Sequence, residues 1–136
     1  MNEKALKTLE YNKIIAQLAE YACCDEAKEH ALSLHPICDK AEIERLQLET
    51  KDALNRLFKG GRLSFSGVRD INGSLKRLDI GGSLNTIELL SICSLLEAAK
   101  RAKAFSRSEK DEETTDSLTG RFAQIEPLTP LCDEIR

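Results

Sequence analysis

The chain has 136 residues, about the length of one domain, with 41% apolar and 32% charged residues and no tryptophan. That composition argues against a large multidomain enzyme and a wholly disordered chain, and no run reaches the roughly 18 apolar residues of a membrane span. With 20 Lys and Arg against 23 Asp and Glu the formal charge is −3, so no global positive field draws the molecule toward nucleic acid or anionic lipid, and any such binding has to come from a local patch.

Met1-Asn2-Glu3-Lys4 enters an amphipathic stretch at once, without the apolar core of a signal peptide, and the expectation is a cytoplasmic protein without membrane contact. From Ala5 to Ala22 the residues Leu6, Leu9, Ile14, Ile15, Leu18, Ala19 and Ala22 fall mostly three or four apart, a helical stripe with a break near Tyr11-Asn12 that predicts a bend or two short helices. Asp25 is placed to cap a short helix that must stop by His35, because Pro36 excludes its predecessor from helical geometry. Asp39 followed by Glu42 reads as a capping box, with Cys38 and Ile43 as a hydrophobic staple, and predicts a helix to Lys59. Its apolar face is Ile43, Leu46, Leu54, Leu57 and Phe58, and Gly60-Gly61 supply its stop.

Residues 62 to 69 carry no helical period and predict an ordered loop. Asp70 then caps a short helix, Ile71 to Leu78, followed by a break at Asp79-Ile80-Gly81-Gly82. Asn85 and Glu88 form a second capping box, with Leu84 and Leu89 as staple, opening a helix from Thr86 to about Phe105 that is apolar on more than one face and belongs at the centre of the fold. Residues 106–116 hold no large apolar side chain and predict a flexible acidic loop. An amphipathic segment, Ser117 to Ile125, precedes Pro127 and Pro130, and Leu131 to Arg136 read as the first turn of a truncated helix. With no alternating strands, repeats or sustained heptads, the fold class is all-α, an antiparallel helical bundle. Its expected core is Leu6, Ile14, Leu18, Leu46, Leu54, Leu57, Leu89, Ile92 and Leu96.

Motifs for catalysis are missing. Gly67 is followed by Val68 rather than by the Lys and hydroxyl of a phosphate-binding loop, and no zinc-protease, nucleophile-elbow or dinucleotide fingerprint is present. The sequence therefore predicts no catalytic residue and no cofactor in this chain. Cys23, Cys24, His30, His35 and Cys38 lie close together and are zinc's preferred ligand types, but their spacing is not that of structural zinc sites, and cysteine serves as often as a small buried hydrophobe; no metal is predicted. Free thiols are expected for all five cysteines. One charge pattern stands out. Arg56, Lys59, Arg62, Arg69, Lys76 and Arg77 share a stretch with a single acid, Asp70, and Lys100, Arg101, Lys103 and Arg107 cluster against Glu97. Brought together they would form a phosphate-binding patch, with Arg62, Arg69, Lys76 and Arg77 as its candidate nucleic-acid contacts. Against this stand the absence of interleaved aromatics and the acidic run Glu109 to Asp116, which is able to fold back and compete.

Taken in order, several segments resemble the N-terminus of a bacterial branch of the MutS ATPases, the one lacking the mismatch-reading domain. Thr8-Leu9-Glu10-Tyr11-Asn12-Lys13-Ile14 with Leu18 is similar to that branch's opening, and Leu34-His35-Pro36 and Ile43 to Thr50 to its next helix. The most specific block is Phe65-Ser66-Gly67-Val68-Arg69-Asp70-Ile71, with Leu75-Lys76-Arg77 and Ile80-Gly81-Gly82-Ser83-Leu84. Departures fall at Cys23 to Ala27, where the family has a small pair and a glycine, and at Glu109 to Asp116. The resemblance implies the first part of a MutS-type core helical domain, a structural and transmitting module that does none of the chemistry itself. It implies a parent ATPase that binds ATP and Mg in a domain beyond this segment, dimerises through it, carries a C-terminal nuclease domain, and acts on branched DNA in recombination suppression or on collided ribosomes. The alternative is a helical interaction module holding nucleic acid or a protein partner directly through its basic loop.

Overall fold

The computed structural model describes residues 3–107 and 115–136. Among the described residues there are eight helices and no strand: α1 (Glu3–Thr8), α2 (Tyr11–Glu20), α3 (Asp25–Leu32), α4 (Lys40–Gly60), α5 (Asn72–Asp79), α6 (Thr86–Arg107), α7 (Thr119–Ala123) and α8 (Thr129–Ile135). The all-α class follows from the helical periodicity. The stretch 106–116, expected to be flexible, lies mostly outside the described residues; Ser106 and Arg107 extend α6, and Asp116 is ordered by contacts set out below.

The break between α1 and α2 falls at Glu10, whose φ of 54° puts it in the left-handed region, so the apolar stripe restarts on a new axis. Ile15 and Ala19, one turn apart, are the buried residues of α2, and Ala31 is that of α3, the helix it packs against. Tyr11 donates its hydroxyl to the Leu34 carbonyl (3.2 Å), tying the start of α2 to the end of α3. Asp25 is not the cap of α3. Cys24 holds the N-cap position in extended geometry, and Asp25 opens the first turn, where a carboxylate still meets the positive end of the helix dipole.

The later helix ends follow their local chemistry closely. Asp39 Oδ1 accepts from the Ala41 and Glu42 amides at 2.8 and 3.1 Å, starting α4. Asp70 sits one residue further from its helix than expected and accepts the Asn72 amide (2.7 Å). At the end of α5 the Gly81 amide donates to Leu78 O and the Gly82 amide to Arg77 O, the paired bonds of a Schellman turn, with Gly81 at φ 78°. A Cβ on Gly82 would lie 2.9 Å from the Arg77 carbonyl oxygen, so both glycines are required. The second capping box is complete: Glu88 N donates to Asn85 Oδ1 (3.0 Å), and Asn85 N to Glu88 Oε2 (2.9 Å).

The expected core is the main correction. Of its nine residues only Leu96 is buried; Leu6, Leu89 and Ile92 are half-buried, while Ile14, Leu18, Leu46, Leu54 and Leu57 are exposed. On α2 the buried pair is Ile15 and Ala19, which turns Ile14 and Leu18, about 100° round the helix, outward. The apolar residues that are buried are mostly small: Ala19, Ala31, Cys93, Ala98, Ala102 and Cys132 alongside Ile15 and Leu96. Small side chains let backbones approach, which selects them over leucine where helices cross. The long helix α6 does take the central place, supplying Cys93, Leu96, Ala98 and Ala102 and packing against both α7 and α8.

Replacing Asn85 by Ala removes one partner of the capping box, and we expect it to cost about 1 kcal/mol, read as a lower urea midpoint with unchanged slope. An unchanged midpoint would mean that the box does not hold the start of α6.

Candidate nucleic-acid interface

The basic residues singled out by the sequence divide into two groups. Arg56 is the most buried charged residue described, 4% exposed, on the inner side of α4. Its Nε donates to Asp116 Oδ2 (2.6 Å) and its Nη2 to Asp116 Oδ1 (2.7 Å), a bidentate pair, and Nη2 also reaches Thr119 Oγ1 (3.2 Å). The guanidinium carbon lies 4.9 Å from the centroid of the Phe122 ring. The Asp116 carboxylate accepts further bonds from Leu118 N and Thr119 Oγ1, both at 3.0 Å.

The same face of α4 carries more of this seam. One turn before Arg56, Asp52 accepts from the Ser117 amide (3.1 Å) and hydroxyl (2.6 Å). Glu49 pairs with Arg45 along the helix (2.7 Å) and with Arg121 across to α7 (2.9 Å). One turn after Arg56, Gly60 meets Phe105, whose ring would stand 2.9 Å from a Cβ at that position. Residues 49, 52, 56 and 60 are spaced three and four apart, a single helical face. It receives the segment 116–122 and the end of α6. Helix α4 therefore turns its charged side inward and leaves its apolar stripe outward, with Leu54 52%, Leu57 45% and Phe58 80% exposed.

This placement withdraws several cations from any phosphate-binding surface. Arg56 is committed to Asp116. Lys103 donates its ammonium to the Phe122 and Ala123 carbonyls (3.1 and 2.8 Å), closing the C-terminus of α7. Arg77 bridges to Glu88 (2.7 Å), locking the corner between α5 and α6. Arg62 and Arg69, in the loop after α4, and Lys76, on α5, remain on the surface and exposed. Of the acidic run only the last member, Asp116, can be placed, against Arg56; residues 109–114 lie outside the described residues.

The cysteine and histidine cluster near the N-terminus is not assembled as a ligand set: Cys23 and Cys38 are exposed and Cys24 opens α3. Among the described residues the one grouping able to hold a metal is Cys93, Glu97 and Cys132, whose ligand atoms lie within 4.8 Å of one another. Sequence reading missed it because Cys132 is 39 residues beyond Cys93; the only signal was the presence of two cysteines in apolar segments.

The seam has a titration signature. The Asp116 carboxyl is held at about 2, down from 3.8, mainly by the hydrogen bond from Arg56, with Thr119 and the Leu118 amide assisting and burial opposing. A depressed folded value means that the carboxylate's contribution to stability is complete above pH 4 and is lost as pH falls through 2. We therefore expect the urea midpoint to fall across pH 4 to 2, and Asp116→Asn to flatten that fall while lowering stability at neutral pH. Arg56→Ala should cost about 3 kcal/mol, and an effect below about 0.5 kcal/mol in urea denaturation at pH 7 would show that the seam does not hold the fold.

No known protein-family profile matches the chain. Among curated proteins it is similar to the endonuclease MutS2 of Agathobacter rectalis, at 60% identity over 136 residues, 100% of this chain and 17% of that relative. It is 48% identical over 141 aligned positions to the endonuclease MutS2 of Lachnoclostridium phytofermentans, covering 100% of this chain and 18% of the relative. With the endonuclease MutS2 of Lachnospira eligens the identity is 40% over 136 residues, 100% of this chain and 17% of the relative. The chain thus spans less than a fifth of the relatives it matches, and at such identity along its whole length it belongs to the MutS2-type family, as one segment of those proteins.

Proposed function

We propose that residues 1–136 are the N-terminal part of the core helical domain of a MutS-type ATPase, a structural and transmitting module that does none of the parent's chemistry. The observation that carries this reading is the orientation of α4. A 21-residue helix that anchors its charged face internally and presents Leu46, Leu54, Leu57 and Phe58 outward is built to join further helices of a longer polypeptide. The relatives, in which this segment is 17–18% of the length, supply such further chain. A rigid helix held by a charged seam also suits transmission, because motion at one end is passed along it rather than absorbed.

On this reading the parent is a cytoplasmic homodimer that binds ATP and Mg in a domain outside this segment. It carries a nuclease domain and acts on branched DNA, on collided ribosomes, or on both. The second reading, direct contact with nucleic acid or a protein partner through the loop after α4, draws on the exposure of Arg62, Arg69 and Lys76; the engagement of Arg56, Arg77 and Lys103 weighs against it.

Fluorescence anisotropy of the chain against duplex DNA, branched DNA and ribosomal RNA hairpins separates the two. The structural reading expects no saturable binding at low or near-physiological salt. Binding that falls steeply with salt and disappears in an Arg62→Ala, Arg69→Ala variant would replace it with direct contact. The structural reading also expects Leu54→Glu with Phe58→Glu to change the chain's own stability by less than about 1 kcal/mol, and to abolish any self-association seen by sedimentation. Self-association that persists in this variant would remove the outward stripe as a joining surface.

A further inference from the structure

Helix α8 is held to α6 by a small cluster of Cys93, Leu96 and Cys132, with Ile92 and Ile135 packed against it, and by the ion pair of Arg136 with Glu97. At its centre the Sγ atoms of Cys93 and Cys132 are 2.8 Å apart, and both residues are buried. The contact is reciprocal: the Cys93 thiol also donates to the Cys132 carbonyl (3.7 Å), and the Cys132 thiol to the Cys93 carbonyl (3.8 Å). Each sulfur lying against the other residue's backbone means that the two chains converge at this point, which a disulfide needs, since its Cβ atoms stand only about 4 Å apart.

We propose that Cys93 and Cys132 are a disulfide-forming pair, which hydrogen peroxide converts into a covalent bridge between α6 and α8. The other three cysteines are differently placed: Cys23 and Cys38 are exposed, and Cys24 begins α3. Cys132, not Cys93, lines an open groove of about 490 Å³ together with Glu97, Lys100, Arg101, Asp133 and Arg136, and in the proposed sequence of steps its sulfur is the one oxidised first. The Cys132 sulfur, as thiolate, attacks one peroxide oxygen; the O–O bond breaks, and the Cys132 sulfenic acid and one water are formed. The Cys93 sulfur then attacks the Cys132 sulfur, the S–O bond breaks, and the hydroxyl leaves as a second water with the Cys93 proton. Two thiols lose two electrons and two protons in all, and the peroxide is reduced to two waters. The Cys132 thiol is held above its ordinary value, first by the adjacent Cys93 thiol and then by burial, so the first step is slow compared with that of an exposed thiolate. The bridge closes a loop containing the segment 116–122 that docks on α4, so oxidation makes the α6–α8 unit more rigid.

The test uses hydrogen peroxide on a Cys23→Ser, Cys24→Ser, Cys38→Ser variant, which retains only the pair, with the native chain treated in parallel. The expected result is a mass loss of about 2 Da, a peptide linkage joining Cys93 to Cys132 in both proteins, reversal by dithiothreitol, and a melting temperature about 10 °C higher. Intermolecular dimers, or oxygen added to Cys132 with no linkage, would overturn the proposal. So would stoichiometric zinc in the purified protein that keeps the thiols reduced until a chelator removes it, which would make Cys93, Glu97 and Cys132 a metal site instead.

Discussion

The buried pairing of Arg56 with Asp116 is the constraint around which this molecule is arranged. A guanidinium at 4% exposure is largely removed from solvent, and the bidentate carboxylate and the Thr119 hydroxyl replace hydration at its Nε and Nη2, with the Phe122 ring beside it. Such pairs add little net stability compared with a hydrophobic replacement, because desolvating two charges costs about what their attraction returns. Their geometry, in contrast, is strict. Once Arg56 is satisfied by Asp116, the rotation of α4 about its axis is set, and Asp52 and Glu49 fall in line to meet Ser117 and Arg121.

From that rotation follows the unusual surface. The apolar stripe of α4 lies roughly a third of a turn from its charged face, so burying one face turns the other outward. The interior is left to small residues. Among the described residues Ala98 and Ala102 on α6 are the most buried, at 2% and 1% exposed, and Gly60 gives way to the Phe105 ring. A fold packed this way gains less from hydrophobic burial than one filled with leucine and phenylalanine, since the stabilisation scales with apolar area removed from water. It relies correspondingly more on caps, turns and ion pairs. The chain corresponds to 17% of the length of its Agathobacter relative, and on the proposed reading its outward leucines join further helices of a longer polypeptide.

The basic residues illustrate how charge counting misleads. A run of arginines and lysines in sequence looks like one electrostatic feature, yet Arg56 neutralises a buried acid, Lys103 closes a helix end and Arg77 braces a corner. Among the described residues Lys59, Arg62, Arg69, Lys76, Lys100 and Arg101 stay exposed, and without Arg56 and Lys103, with Arg77 shared with Glu88, the pattern is a weaker attractor for a polyanion than its sequence count suggests.

The features legible in the sequence are those whose partners lie within a few residues. The cap at Asp39, the reciprocal box of Asn85 and Glu88, the glycine turn at Gly81-Gly82 and the breaks near Glu10 and Pro36 all depend on hydrogen bonds or clashes across at most five positions, so their residue patterns carry the information directly. The helical class and the family likeness rest on the same kind of ordered local signal. Tertiary structure alone decided which face of each helix is buried. Periodicity locates an apolar stripe but not what will cover it, and here a partner 60 positions from Arg56 and another 39 positions from Cys93 determined the answer. Burial is a property of the neighbour as much as of the residue, and neighbours that distant in the chain leave no mark on the local pattern.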